Sequence, residues 1–472
     1  MPALFALALF SFLLCFILTP FCRDLFLRAG LVDHPDTDRK FHLRPVPRIG
    51  GVAIAIAYAT SLGLVLALHP GGRIMYIQHQ HLLFELIPAA ALVFLTGLLD
   101  DLFTLKPWQK LSGLTLASAL AVALGAHFST PHLPPIVCMV LSFVWLIGCT
   151  NAVNLIDGMD GLATGVGLLA TLTTLAVALL THNVGLAIPT IPLAGCLIAF
   201  LFFNFSPATV FLGDCGSLTI GFALGCLGLI WSQHTGNLIG MAAPLVTFAL
   251  PLIDVGLAIF RRFLRSRPIF EGDRGHIHHM ILRSGVSTRA AAFILYGVCI
   301  LFATLGLLMN FSRQALAWIV LGFFSCIVIV GIDRLGYVEF SAAARTISQR
   351  RIRKHVKEEI YLEELTRALA VTDSLEDWWH LACETCREVG FATFEMNFEG
   401  QTWQQQYVHH TGTPSCSFYL DIKEHGSLVL TTPPGVVPSR VMMEALERLQ
   451  ASVQVRTLAA DFIHESIART AA

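Results

Sequence analysis

"CTNAVNLIDGMDGLATG", Cys149 to Gly165, lies between two apolar runs, residues 135–153 and 162–181. Each run has roughly the ~20 residues that a helix needs to cross a hydrocarbon layer ~30 Å thick. Lipid offers backbone groups no hydrogen-bond partner, so spanning segments are helices and the polar breaks between them fall at the boundary. Two asparagines, two aspartates and three glycines in one such break (Asn151, Asn154, Asp157, Asp160, Gly158, Gly161 and Gly165) are more than a connection needs. Gly158 and Gly161 let the chain leave the preceding helix sharply, so that amide and carboxylate face something other than lipid.

Outward from this stretch, further apolar windows lie at 3–22, 49–68, 83–99, 108–126, 185–204, 217–232, 239–260, 290–310 and 315–332, giving about eleven spans in all. The composition agrees, with 55% hydrophobic and 13% charged residues and a mean hydropathy of +0.68. These values exclude an ordinary soluble protein and define a polytopic α-helical membrane protein. The net charge of -1 carries little information, because in such a chain sign matters loop by loop; no nucleic-acid partner is expected. No Lys or Arg precedes the first window and no small-residue cleavage site follows it, so it reads as an anchor.

Basic residues set the orientation. Arg23, Arg28, Arg39, Lys40, Arg44 and Arg48 follow the first span, Lys106 and Lys110 the third, and Arg261, Arg262, Arg265, Arg267, Arg274, Arg283 and Arg289 the ninth. The opposite loops hold little beyond Arg73 and Arg313. By the positive-inside rule the odd spans end in the cytoplasm, the N-terminus is outside and the C-terminal tail inside.

Four polar segments then share the cytoplasmic face: "LTGLLDDLFTLKPWQK" (Leu95–Lys110), the opening stretch, "FFNFSPATVFLGDCGS" (Phe202–Ser217) and "RSRPIFEGDRGHIHHM" (Arg265–Met280). One aspartate at a helix end is usually solvated, but four segments converging on one face imply a site. Asp100 and Asp101 are adjacent and splay by ~100° on a helix, so they cannot chelate one ion unaided. Carboxylates such as Asp214, supplemented by an amide oxygen such as Asn154, suit Mg²⁺ (or Mn²⁺), which keeps water or phosphate oxygens in its shell. Lys110, Arg274, His276, His278 and His279 are the counterpart for phosphate oxygens. The combination implies phosphoryl chemistry on an anionic substrate. A zinc site in "HIHH" lacks a cysteine pair beside it.

On these residues the chain resembles the polyprenyl-phosphate N-acetylhexosamine-1-phosphate transferases, glycosyltransferase family 4. The likeness rests on Asp100–Asp101, "NAVNLIDGMDGLATG", "FLGDCGSL", the HIHH loop and "GLVDHPDTDRKFHLRPVPRIGG" (Gly30–Gly51), and covers residues 1–335. It implies attack of a lipid phosphate oxygen on the β-phosphorus of a UDP-sugar, with release of UMP. Its motifs imply Asp100 or Asp101 as the general base, Asp214 and Asn154 as metal ligands, and Asp157 as support for the metal shell. Asp160 and Asn204 would read the uracil; Lys110 and the histidines would hold the diphosphate. The interrupted "GHIHHMIL" resembles the WecA-like or TagO-like branch, which takes UDP-GlcNAc. An MraY-like enzyme taking UDP-MurNAc-pentapeptide carries adjacent histidines instead. The implied partners are a UDP-N-acetylhexosamine and an undecaprenyl-type phosphate, at a bacterial inner membrane.

Two other classes fit less well. A prenyl synthase would show a DDxxD segment, whereas Asp100–Asp101 is followed by Leu-Phe-Thr. A transporter would place ionisable groups near the midplane. A non-catalytic sensor or scaffold is the remaining alternative, and UMP release separates it from an enzyme.

The tail differs in composition. Residues 336–370 read as a linker helix and 371–472 as a cytoplasmic α+β accessory domain, with strand-like runs "FATFEMNF", "TWQQQYVHH", "SFYLDIK" and "GSLVLTT" before a final helix over 439–463. The order faintly resembles a GAF-like or PAS-like module and suits regulation or pairing in a homodimer. His380, Cys383 and Cys386 share a helical face that reads as core packing over metal binding.

Overall fold

The computed structural model describes residues 2–33, 45–130, 133–235, 244–265, 275–311, 314–334, 352–372, 374–398, 400–407, 416–422 and 426–453. It divides into two compact units, residues 1–263 with 267–335, and residues 264–266 with 336–472.

The first unit is a helical assembly: α1 (Pro2–Arg28), α2 (Gly50–Leu68), α3 (Pro70–Phe103), α4 (Pro107–Leu124), α5 (Pro135–Ile156), α6 (Leu162–Leu180), α7 (Val184–Asn204), α8 (Gly213–Thr235), α9 (Ala249–Arg265), α10 (Ile277–Arg283), α11 (Thr288–Phe311) and α12 (Gln314–Arg334). Among the described residues eight helices are long and apolar enough to cross a membrane, namely α1, α2, the second half of α3, α5, α6, α7, α8 and α11. The chain is a polytopic membrane protein. The other three apolar windows of the sequence correspond to α4, α9 and α12, of which α12 holds a shorter apolar stretch, Leu316–Ile332. One stretch departs from the sequence reading: residues 70–82, which hold no apolar window, continue as the first part of α3. The His69 side chain accepts from Gly71 N at 3.1 Å, Pro70 fits the first turn, and non-helical backbone at His79 marks the kink into the apolar half.

The spans differ in what surrounds them. The α8 window is 89% buried within the protein and the α1 window 28%, so α8 is the axis against which α2, α3, α5 and α6 pack. Two glycines set the approach. A Cβ on Gly51 of α2 would strike the backbone of Gly216, and one on Gly97 of α3 would lie 2.6 Å from Asp214 O and Cys215 Cα. Small residues let helices close up where lipid supplies no hydrophobic drive. The turn before α8 is stitched to the segment before α2: Phe211 N donates to Pro47 O at 2.8 Å, Gly50 N to Phe211 O and Gly51 N to Leu212 O at 2.9 Å each. Gly213 completes the turn in the left-handed region at φ +73. Val32–Asp33 (β1) and Val46–Pro47 (β2) pair antiparallel and bring Arg48 to the same end.

The second unit combines helices with an antiparallel sheet. α13 (Ile352–Val371), α14 (Leu375–Val389) and a helix over 440–453 accompany β3 (Thr393–Phe398), β4 (Gln401–Gln406), β5 (Ser417–Asp421) and β6 (Gly426–Thr431). The sheet order is β4-β3-β6-β5. Period-two alternation sends Phe394 and Met396, with Leu428 and Leu430, to one face, where they meet Trp378, Leu365 and Leu446. Ser374 caps α14 by accepting from Asp377 N at 3.0 Å. Cys386 lies inside this core and burial pushes its thiol up.

The glycine contact makes a direct prediction. In Gly51→Ala the new methyl meets backbone, which cannot swing away, so it costs about 1–3 kcal/mol of stability. Gly63→Ala on the same helix meets nothing within 4 Å and is expected to be neutral. Thermal denaturation of both variants in detergent is the check; equal melting temperatures would refute the close approach of α2 and α8.

Candidate active site

The end of α8 where Asp214 lies is a focus of charge. Lys110, in the first turn of α4, places Nζ 2.5 Å from Asp214 Oδ2, 3.0 Å from Asp100 Oδ2 and 3.1 Å from Asn154 Oδ1. Asn154, in the last turn of α5, donates Nδ2 to Asp214 Oδ1 at 2.6 Å and to the buried Ser217 Oγ at 2.9 Å. Three helices, α3, α5 and α8, thus deliver hard oxygen ligands to one ammonium on a fourth, α4. The side chains of Lys110, Asp100 and Asp214 keep 19%, 12% and 21% of their surface exposed, enough for a ligand to reach them.

Asp100 and Asp101 divide their work because adjacent residues on a helix point apart. Asp100 faces Lys110 with one oxygen and accepts from Leu105 N with the other, at 2.7 Å, closing the end of α3. Asp101 uses both oxygens on the first turn of α8, accepting from Asp214 N and Cys215 N at 2.8 Å each. A carboxylate at a helix N-terminus satisfies orphan N–H groups and opposes the positive end of the dipole. Of the two expected catalytic carboxylates, Asp101 is therefore a clamp on α8, and Asp100 is the one turned to the charge cluster.

The α5–α6 connection completes this side. Burial, with the charges of Asp214 and Asp101, pushes the Asp157 carboxyl well above the ordinary carboxylate range, while Arg48 pulls the other way. Asp160 Oδ2 accepts from Ala208 N at 3.0 Å. Gly161 is left-handed at φ +75, and Tyr296 OH of α11 donates to its carbonyl at 2.6 Å. Gly158 answers to a different need than the sharp exit expected of it: a Cβ there would meet His278 Nε2 at 2.9 Å. Asn204, expected to read a base, is 2% exposed, accepts from Thr164 Oγ1 at 2.7 Å and donates to Val210 O at 2.9 Å. It braces α7 against α6 and the following turn.

The histidines form a second group. His276 and His278 are 5% and 2% exposed and their rings stack at 5.8 Å with planes 10° apart; His279 lies 4.2 Å from His278. His276 Nδ1 is 2.8 Å from Asp254 Oδ2, and Ile277 N donates to Asp254 Oδ1 at 2.8 Å. His278 Nε2 is buried and makes no hydrogen bond among the described residues. Burial first, then the neighbouring His279, pulls its pKa down to about 4, so it is neutral at pH 7. Arg274 lies outside the described residues.

The two groups meet through the α5–α6 connection, where Asp157 senses Asp214 and the adjacent Gly158 touches His278. Sequence reasoning missed Asp254, although a carboxylate inside the run "ALPLIDVGLAIF" was a signal, because charge in an apolar helix is costly without a task. It also missed Ser217 and Tyr296, which carry no such signal.

The glycosyl transferase family 4 model matches residues 83–232, which include Asp100, Lys110, Asn154 and Asp214. Over 317 residues the chain is 30% identical to a protein of Bacillus subtilis (strain 168) named "Probable undecaprenyl-phosphate N-acetylglucosaminyl 1-phosphate transferase", covering 66% of this chain and 85% of that one. It is 30% identical over 319 residues to the decaprenyl-phosphate N-acetylglucosaminephosphotransferase of Mycolicibacterium smegmatis, covering 60% and 76%. With the undecaprenyl-phosphate alpha-N-acetylglucosaminyl 1-phosphate transferase of Escherichia coli (strain K12) it shares 28% over 319 residues, covering 64% and 83%. Relatives covered at this length, together with helix ends that carry the motifs of the charge cluster, show that the chain belongs to glycosyl transferase family 4.

Proposed function

We propose that the protein transfers N-acetylglucosamine 1-phosphate from UDP-GlcNAc to a polyprenyl phosphate of undecaprenyl type, releasing UMP. The observation that carries this reading is the convergence of Asp100, Asn154 and Asp214 on a single positive centre, joined to relatives named for that transfer. In the reaction a phosphate oxygen of the lipid bonds to the β-phosphorus while the bond from that phosphorus to the bridging oxygen breaks. UMP leaves with the bridging oxygen, so atoms and charge balance without an oxidant. The branch that takes a peptide-bearing donor is disfavoured by the "HIHH" spacing and by the relatives' names.

The residues present fit Mg²⁺. Carboxylate and amide oxygens are hard donors, and Mg²⁺ is ordinarily held by one or two carboxylates together with substrate phosphates. Asp214, Asn154 and Asp100 would hold it, with Asp157 beside them. Bound there, the ion would neutralise the developing charge on the diphosphate. The chain's own part is to position and to exclude. Lys110 orients Asp100 and Asp214, Asp101 fixes the turn of α8, and Asp160 and Tyr296 hold the α5–α6 connection open to a nucleotide. His278 is neutral and offers a hydrogen bond to the donor instead of a charge.

The positive-inside pattern supports a cytoplasmic face for this site and for the C-terminal unit at a bacterial inner membrane, and the apolar windows at α4, α9 and α12 support eleven spans. The C-terminal unit is an accessory module that regulates the enzyme or pairs two copies of it.

Purified protein with Mg²⁺, polyprenyl phosphate and a panel of UDP-sugars is expected to release UMP from UDP-GlcNAc and to stop on addition of a chelator. Release from none of the panel would refute the reading. Asp214→Asn is expected to lower turnover by ~10² or more and to shift the Mg²⁺ titration, since it removes charge where the transition state gathers it; an unchanged titration would remove Asp214 from the metal site. His278 gives a pH test. Its folded value of about 4 lies below the ordinary ~6.5 of an unfolded chain, so its contribution to stability is complete above about pH 6.5 and is lost as pH falls toward 4. Melting temperatures between pH 7 and 5 are expected to fall more steeply in the parent than in His278→Gln.

A further inference from the structure

We infer that Asp254 is a positioning residue that fixes the histidine segment against the α5–α6 connection and thereby places His278 beside the motif that carries Asp157; the catalytic part of this inference rests on the function proposed above. Asp254 is 1% exposed and lies within the otherwise apolar run of α9. A buried carboxylate costs several kcal/mol unless paired and hydrogen-bonded. Both of its oxygens are satisfied, and both partners, His276 Nδ1 and Ile277 N, come from the segment that begins the HIHH sequence. Arg261 lies seven residues on, hence on the same face of α9, and its guanidinium packs where a Cβ of Gly275 would fall. Three consecutive residues, Gly275 to Ile277, are thus gripped by one helical face.

From His276 the arrangement passes by contact to the motif. His276 stacks on His278, and His278 presses its unpartnered Nε2 against Gly158, next to Asp157. An imidazole whose Nδ1 is held by a carboxylate has its tautomer and ring plane fixed together. Asp254 therefore determines where His276 stands, and through the stack where His278 stands. Among the described residues, the bond to Asp254 is what ties the His276 ring to α9. The unpaired Nε2 of His278 is then the atom that Asp254 keeps aimed at the connection carrying Asp157 and Asp160.

The test uses the full chain in detergent or nanodiscs. Asp254→Ala removes both hydrogen bonds. Asp254→Asn keeps an acceptor for Ile277 N but turns an NH₂ toward His276, forcing the opposite tautomer. Diethyl pyrocarbonate modification, read residue by residue by mass spectrometry, reports seating without reference to activity. In Asp254→Ala, His276 and His278 are expected to react at least about tenfold faster than in the parent, and in Asp254→Asn to stay protected. Asp254→Asn is expected to lower kcat/KM for UDP-GlcNAc by about tenfold with the KM for lipid unchanged, a cost typical of removing a histidine's orienting carboxylate. Combined with His276→Ala it is expected to cost no more than His276→Ala alone, because the two act as one unit. Modification rates within twofold of the parent in Asp254→Ala, or losses that multiply in the double variant, would overturn the inference. If the parent released UMP from no UDP-sugar, the proposed function would fail, and the modification rates would still decide whether Asp254 seats the histidines.

Discussion

The structure depends on keeping charge at the ends of helices in a chain that is 55% hydrophobic. In a medium of low dielectric an unpaired charge is expensive and a paired one is held tightly. Lys110, Asp100, Asp214 and Asn154 solve this together: one ammonium, two carboxylates and an amide partner one another across four helices. The solution fixes the relative rotation of α3, α4, α5 and α8, because each contributes a group of fixed reach. The fold of the membrane unit and the chemistry of its site are therefore set by the same contacts.

A second layer serves the first. Asp101, Asn204, Asp160, Tyr296 and Asp254 spend their hydrogen bonds on backbone or on other side chains. They hold turns and rings in place, leaving Asp100, Asp214 and His278 with free capacity toward a ligand. Such a division is what catalysis by preorganised charge requires, since groups that must rearrange during the reaction waste their stabilisation.

Much of this was legible in the sequence, for identifiable reasons. Apolar windows of spanning length show the helices because lipid tolerates little else, and the polar breaks between them show where Asp100, Asn154, Asp157 and Asp214 gather. What could not be read were pairings across distance: Lys110 with Asp214 is 104 residues apart and Asn154 with Asp214 is 60. Asp100 and Asp101 looked equivalent because composition does not give rotation about a helix axis. Gly158 resembled a turn residue, although its reason is the His278 ring on α10. The helical stretch from Pro70 was invisible to an apolar window because Arg73, Gln78 and His79 interrupt it. Asp254 was visible as an oddity, but its partners lie beyond a segment whose path sequence does not supply.

The contact of Gly51 with Gly216 and of Gly97 with Asp214 has a mechanical consequence. The distance between α8 and its neighbours and the geometry of the charge cluster are one degree of freedom. Asp101 bonds to α8 at the very turn where Gly97 touches it, so any lateral force that spreads these helices lengthens the clamp and the ion pairs in the same motion. The bilayer presses on the outer helices from all sides. Its lateral pressure and thickness are thus coupled to the active site through two patches of bare backbone, and the lipid surroundings act on the enzyme as a load as well as a solvent.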